Sequence, residues 1–315
     1  MNVLVTGGTG YLGRAVVEAL GANGHRVVLF ARAASQSGLP VEAVDGDIRD
    51  AAALGRAAAS CDAIIHSAAL VAVWRRRRRE FDDVNVGGLA NVLAAARQCG
   101  ITRVICTSSF LALPPRGMDA PPAWNDYQRT KAAADRLADA AVQQGSPLIR
   151  LYPGVIYGPG PATEGNLVGR MVADHLAGRL PGIIGADRIW SFSFVDDVAA
   201  AHVAALTRGV PGRRYLVGGE DAPQMRVFDI VHALTGRPRP RRLPGWAASV
   251  AACADELRAQ WFHATPLLTT GTLEILLRDW PLGHALASEE LGYRVTPLED
   301  GVARVVAGLA PRPTP

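Results

Sequence analysis

The first thirteen residues constrain this chain more than any other stretch. Asn2-Val-Leu-Val-Thr6 is a β-branched run, Gly7-Gly-Thr-Gly10-Tyr-Leu-Gly13 follows at once, and Ala15, Val16 and Leu20 then recur at helical spacing. A strand, a glycine turn and a helix in immediate succession is the setting in which a glycine pattern points to a dinucleotide phosphate site. The spacing is G-x-x-G-x-x-G through Gly7, Gly10 and Gly13, not G-x-G-x-x-G. The first glycine serves a tight turn, and the second lets a pyrophosphate approach the backbone. The third lets the helix pack closely on the strand, with its N-terminal N–H groups facing the phosphates.

Further strands read at Arg26–Ala31, Val41–Val44, Asp62–Ile65, Arg103–Thr107 and Pro147–Leu151, alternating with helices over 51–59, 81–98 and 127–143. That rhythm predicts an α/β fold of the Rossmann type, a doubly wound parallel sheet with right-handed crossovers. From Tyr152 the texture changes, as Pro153, Pro159 and Pro161 crowd a glycine-rich loop. The expected organisation is a nucleotide-binding domain at 1–152 and a smaller mixed α/β substrate lobe at 153–315, the chain interleaving with the first domain near 190–220. Such a lobe lies over the carboxyl edge of the sheet, where these folds bind ligands. Ala247 to Ala254 reads as a buried helix, and the tail 310–315 as frayed.

With 49% hydrophobic and 20% charged residues, the 315-residue chain is not globally disordered. A net charge of +4 suits an acidic ligand but does not imply nucleic acid. The cysteines (Cys61, Cys99, Cys106, Cys253) show no C-x-x-C spacing and read as reduced, in a cytoplasmic protein. His25, His66, His175, His202, His232, His263 and His284 are isolated, so no metal site is expected. No apolar run reaches the roughly 20 residues that span a bilayer, and the opening strand leaves no room for a signal peptide. A membrane partner is therefore not expected.

Tyr127-Gln-Arg-Thr-Lys131 is the second anchor. Tyrosine and lysine four apart share one helix face, so the ammonium lies beside the phenol and stabilises a developing phenolate. After the glycine motif, and after a serine at the end of the fifth strand, this pair gains specificity that it lacks alone.

Here the chain resembles the extended short-chain dehydrogenase/reductase family over nearly its whole length. The matching pieces are Thr6–Gly13, Asp47-Ile48, His66-Ser-Ala-Ala69, Asn85–Leu93, Thr107-Ser-Ser109, Tyr127…Lys131, Arg150–Pro159 and Phe194-Val-Asp-Asp-Val-Ala199. The resemblance implies that Tyr127 is the general acid/base, that Ser109 holds the substrate oxygen, and that Lys131 binds the nicotinamide ribose while tuning Tyr127. It implies that Asp47 accepts from the adenine amine, Ile48 flanks that ring, and Ala68 lies along the cofactor. Tyr11, Leu12, Tyr152 and Pro153 fall in the cofactor-side motifs. Ser108, Asn85, Asp196 and Asp197 are expected to be structural, and His66 to support the backbone.

Relatives specific for NAD place an acid near the end of the second strand to bind both ribose hydroxyls. This chain has Leu29-Phe-Ala-Arg-Ala33 there, and Arg32 suits a 2′-phosphate, so NADP(H) is preferred with NAD(H) possible. Sugar-nucleotide dehydratases carry an Asp-Glu pair where this chain has Ser109-Phe110. Epimerases usually carry a diphosphate-binding arginine where this chain has Trp190, though Arg188 could serve from a shifted register. Trp190, Phe192 and Phe194 suit an apolar wall, or an ordinary strand with one buried face.

These differences point to the branch resembling dihydroflavonol reductases and 3β-hydroxysteroid dehydrogenases. The implied activity is an oxidoreductase that interconverts a small or apolar ketone or aldehyde with its alcohol. The alternative is an NAD-dependent nucleotide-sugar epimerase. Phe110, Trp190 and Trp74 are the candidate substrate contacts beside Ser109. The run Arg75–Arg79 reads as a solvated helix start, or as a clamp for an acidic substrate or carrier. The alanine-rich helices at 81–98 and 127–143 permit a homodimer and equally a monomer.

Overall fold

Near-continuous runs of Val, Leu and Ile need cover on both faces, and the strands they form are buried throughout. The computed structural model describes residues 1–161, 163–262 and 265–309. In chain order its strands are β1 (Asn2–Thr6), β2 (Arg26–Ala31), β3 (Glu42–Asp45), β4 (Ala63–His66), β5 (Val104–Thr107) and β6 (Leu148–Pro153). Then follow β7 (Val155–Tyr157), β8 (Ile183–Ile184), β9 (Ile189–Phe194), β10 (Arg214–Val217), β11 (Glu220–Pro223) and β12 (Arg242–Leu243). Seven of them make one parallel sheet in the order β10-β6-β5-β4-β1-β2-β3. This is a Rossmann-type α/β fold. The order reverses between β1 and β4, which opens a crevice at their carboxyl ends.

Helices Tyr11–Ala22 and Val195–Thr207 cover one face, where Val16, Val17 and Leu20 pack with Val198, Ala199 and Ala205. Helices Ala51–Ala58, Gly88–Gln98 and Asp126–Gln143 cover the other through Leu54, Leu89, Val92 and Ala138. The helix expected over 81–98 starts at Arg79 and passes through a π-helical segment, Asp82–Gly87. Gly100 (φ 68°) and Gly145 (φ 86°) end their helices in the left-handed region, as expected.

Beyond β6, a mixed sheet β11-β9-β7 forms a second core with Tyr157, Phe192, Phe194, Phe228 and Trp280. The parallel pair β12-β8 stands apart. The chain returns to the large sheet to add β10 beside β6. The segment read as a buried helix at 247–254 is helical within Gly245–Phe262, but among its described side chains only Ala248, Ala252 and Ala259 are buried. An alanine-rich window marks a helix without saying which face meets the protein. The tail 310–315 and His263 lie outside the described residues.

Candidate active site

The crevice between β1 and β4 begins with the glycine turn. Gly7 sits at φ 77°, and a Cβ there would lie 2.5 Å from the Ala68 nitrogen. A Cβ on Gly13 would lie 2.1 Å from the Gly7 carbonyl oxygen, so only glycine lets the helix seat on the turn. Gly10 is exposed, and its N–H donates to the Gly7 carbonyl at 2.9 Å. The helix Tyr11–Ala22 has no side-chain cap at Gly10 and no acid in its first turn. Its leading N–H groups are thus left for an anion. These features fit a dinucleotide pyrophosphate.

Leu12 is buried in the core, which leaves only its backbone for a cofactor. The Tyr11 ring turns under Gly158 and Gly160, and its phenol is buried without a hydrogen-bond partner among the described residues. That burial, with Asp196 and Tyr157 nearby, pushes the phenol well above its ordinary range.

At the adenine end, Asp47 gives its carboxylate to Arg49, which donates from Nε at 2.9 Å and Nη2 at 2.6 Å. Those bonds, with the charges of Arg49 and Arg32, hold Asp47 down at about 2. Ile48 is 8% exposed and packs on Gly88. Arg32 is exposed just after β2. Arg14, which the sequence reading did not single out, reaches the same loop and donates to the Ser37 carbonyl at 2.8 Å. Asp45 anchors that loop by accepting from the Ser35 N–H at 2.9 Å and from its hydroxyl at 2.6 Å.

At the reacting end, Lys131 is 8% exposed, donates to the Thr107 carbonyl at 3.2 Å, and lies 5.8 Å from the centre of the Tyr127 ring. Tyr127 is half-buried against the second core. Ser109 is buried, and its Oγ accepts from the Leu111 N–H at 3.2 Å, which leaves its proton to donate outward. The β-strand that ends at Thr107 and the helix whose N-cap is Asn125 therefore carry this group.

Two buried threonine–histidine pairs brace the strand ends. Thr6 Oγ1 and His66 Nδ1 are 2.7 Å apart, so His66 supports its neighbour through a side chain instead of the backbone. Burial, with the charge of Lys131, pushes His66 down to about 3. His202 Nδ1 donates to the Val198 carbonyl at 2.7 Å, so its Nε2 accepts from the Thr107 hydroxyl, also at 2.7 Å. Burial pushes His202 down to about 4. His202 thus stands behind the strand end that holds Lys131. No spacing in the sequence pairs residues 107 and 202.

Asn85 ties the Leu70 backbone (2.7 Å) to the Thr130 hydroxyl (3.0 Å), and Asp197 accepts from Thr296, both structural placements. Tyr152 does not face the crevice. It is wholly buried on the opposite side of β6, donating to Asp135 within a cluster that holds Arg150. Pro153 is likewise buried at the strand end.

The flank of the site is aromatic. Phe110 and Trp280 meet edge-to-face at 5.2 Å, and Trp124 meets Trp280 at 6.3 Å. Trp190, like Trp280, is sunk in the second core and does not line the site. It is 3% exposed in the second core, facing Val168, Met171, Phe228 and Gln224, because β9 is covered on both faces. Arg188 lies 3.9 Å from Asp279 on the outside. Trp74 is half-buried beside the arginine run. Within that run Arg78 grips Asp126 at 2.8 and 3.0 Å, next to Tyr127, and Arg79 lies 3.4 Å from Asp83. The described residues contain no cluster able to hold a metal.

The sequence matches the model of the NAD dependent epimerase/dehydratase family over residues 3–218. It is similar to sterol demethylase protein B of Methylococcus capsulatus, 32% identical over 98% of both chains. It is also similar to the 2-alkyl-3-oxoalkanoate reductase of Stenotrophomonas maltophilia, 31% identical over 98% of this chain and all of the other. Among solved structures, a UDP-glucose 4-epimerase of Thermus thermophilus in complex with NAD superposes with a TM-score of 0.76. It is 25% identical, with 99% of this chain and 100% of that one covered.

Proposed function

The chain is an NAD(P)-dependent oxidoreductase belonging to the NAD dependent epimerase/dehydratase family, in its extended short-chain dehydrogenase/reductase branch, and we propose that it is an NADP(H)-dependent reductase of small or apolar ketones or aldehydes. Residues 1–152 form the cofactor domain in this reading, and 153–315 the substrate lobe. When bound, the reduced nicotinamide supplies the hydride. Ser109 donates a hydrogen bond to the carbonyl oxygen, and Tyr127 gives that oxygen its proton. Lys131, held at the Thr107 carbonyl, stabilises the phenolate that remains. The oxidation of the alcohol runs these steps in reverse.

One observation carries the choice of substrate class. Where a diphosphate clamp would stand, Trp190 is sunk in the core and Arg188 faces Asp279 outside. The site's flank is instead aromatic, with the half-buried Phe110 and Trp124 resting edge-on against the buried Trp280. The relatives named for a sterol and for a 2-alkyl-3-oxoalkanoate support that reading. Arg32, after β2, and Arg14, which reaches the same loop from the helix Tyr11–Ala22, support the preference for a 2′-phosphate.

The test is cofactor oxidation with NADPH and separately with NADH across apolar ketones, aldehydes and keto acids. NADPH turnover is expected, and Arg32→Ala should lower the preference for NADPH about ten-fold or more. Equal rates with both cofactors would overturn the role of Arg32. The similarity to an epimerase supports a second reading, an NAD-dependent sugar-nucleotide epimerase. Silence across the panel, with NAD⁺ retained by the purified protein, would favour it.

A further inference from the structure

The helix Gly245–Phe262 packs its small residues inward and its large apolar ones outward. Ala248, Ala252 and Ala259 are buried, whereas Trp246, Val250, Leu257 and Trp261 are 74%, 66%, 54% and 78% exposed. At about 100° per residue, these four and the exposed Cys253 fall within an arc of about 80°, opposite the buried alanines. The stripe runs about 23 Å along the helix at 1.5 Å per residue. No charged residue interrupts it. Asp255 turns away to Arg258 (2.7 Å) and Glu256 to the Thr270 N–H (2.8 Å). An exposed stripe of this length marks a surface that something covers.

The approach to the helix is basic. Residues 237–242 read Arg-Pro-Arg-Pro-Arg-Arg, four arginines with no acid. Arg239 and Arg242 pair with Asp229 and Asp187, while Arg237 and Arg241 have no carboxylate partner among the described residues. The helix packs on Thr270–Leu276, where Gly271 lies against the Trp124 carbonyl, so its inner face is seated near the aromatic flank of the site while the stripe points away.

We propose that this surface docks on an anionic membrane. The helix lies in the plane of the interface with its apolar arc among the acyl chains. Trp246 and Trp261 sit at headgroup level, and Arg237 and Arg241 meet lipid phosphates. Among the described residues no helix is long and apolar enough to cross a bilayer, so the contact is with one leaflet. A second copy of the same surface would offer these arginines no anion. The inference rests on the surface alone and not on the reductase reading, and its test reads binding, not turnover.

The full-length protein is floated with vesicles of phosphatidylcholine containing phosphatidylglycerol, and with vesicles of phosphatidylcholine alone. Expected are capture by the anionic vesicles that weakens with salt, and weaker capture by the neutral ones. Tryptophan emission should shift to the blue on capture. The exposed double substitution Trp246→Glu with Trp261→Glu should lower capture about ten-fold or more and abolish the shift. Arg241→Glu should weaken capture by anionic vesicles only. No capture by either vesicle, or equal capture of the double variant, would overturn the proposal. So would a wild-type dimer that ignores vesicles and is dispersed by the double substitution, which would make the stripe a contact between copies.

Discussion

The helices Asp126–Gln143 and Gly245–Phe262 are both 18 residues long, and they bury different sets of side chains. The first buries Gln128, Thr130, Lys131 and Asp135 beside Ala132 and Ala138, whereas the described buried side chains of the second are alanines alone. A buried polar group is costly without a partner, and each of these polar residues has at least one, Thr130 and Asp135 several. Thr130 donates to the Asp126 carbonyl and accepts from Asn85, Lys131 meets the Thr107 carbonyl, and Asp135 meets Arg150 and Tyr152. Gln128 Oε1 accepts from the Trp124 N–H at 3.2 Å, fixing the aromatic flank relative to Tyr127. Many directional bonds leave this helix one placement, which suits a group that must meet a reacting atom. The second helix meets the protein through alanines, which fix little beyond distance. Its larger side chains remain outside, which suits a surface whose partner is not shape-specific.

The contrast can be broken at several points. On the first helix, Tyr127→Phe should cut turnover by about a hundred- to ten-thousand-fold while cofactor binding persists, as steady-state kinetics and cofactor titration would show. Full turnover in that variant would remove Tyr127 from the chemistry. Arg150→Met removes the guanidinium hydrogen-bonded to the buried Asp135, leaving that of Arg214 at 3.7 Å, and should cost about 3 kcal/mol in denaturant unfolding. A loss no larger than that of a surface substitution would show that the cluster is not what seats the helix.

Stability should also depend on acid through the two threonine–histidine pairs. His66 and His202 stay neutral in the folded protein down to about 3 and about 4, whereas the unfolded chain binds these protons near 6.5. Stability is therefore full above about pH 6.5 and falls as the pH drops toward those values, at up to about 1.4 kcal/mol per pH unit for each histidine. His202→Asn should flatten the slope between pH 6 and 4 in pH-dependent denaturant melts, by about half if the pairs are independent. An unchanged slope would place the acid sensitivity elsewhere. The smallest effect is expected on the second helix, where Trp246→Ser should change stability by no more than about 0.5 kcal/mol. A loss of several kcal/mol would mean that the stripe is packed in solution.

Most of the fold was legible because its signals are local. Apolar strands and capped helices lie within a residue or two of where periodicity puts them. Gly13 seats on Gly7, and Lys131 meets Tyr127 and the strand end before Ser109, because strand-end and i,i+4 geometry leave little choice. What escaped depends on partners distant in the chain. Arg14 reaching Ser37 and His202 standing behind Thr107 have no pattern that announces them, whereas Arg49, only two residues from Asp47, takes its carboxylate through a side-chain geometry that no spacing fixes. Trp190 was misread because alternation in β9 suggests one open face, whereas the second core covers both. Tyr152 had a usable signal, since period two puts it beside Arg150 and away from the crevice. The outward face of the helix Gly245–Phe262 had none, because alanine suits either side of a helix.

Net hydride transfer to a carbonyl, in a cleft completed by Ser109, Tyr127 and Lys131, is what separates a reductase from an epimerase here. Its most direct test supplies NADPH deuterated at the transferring position of C4, together with an apolar ketone that the enzyme turns over, and follows the label by mass spectrometry. Expected are one deuterium on the carbinol carbon of the released alcohol, oxidised cofactor in equal amount, and neither product from the Tyr127→Phe protein. Inversion of a nucleotide-sugar hydroxyl by protein that retains its NAD⁺, with no labelled alcohol from any ketone, would contradict it.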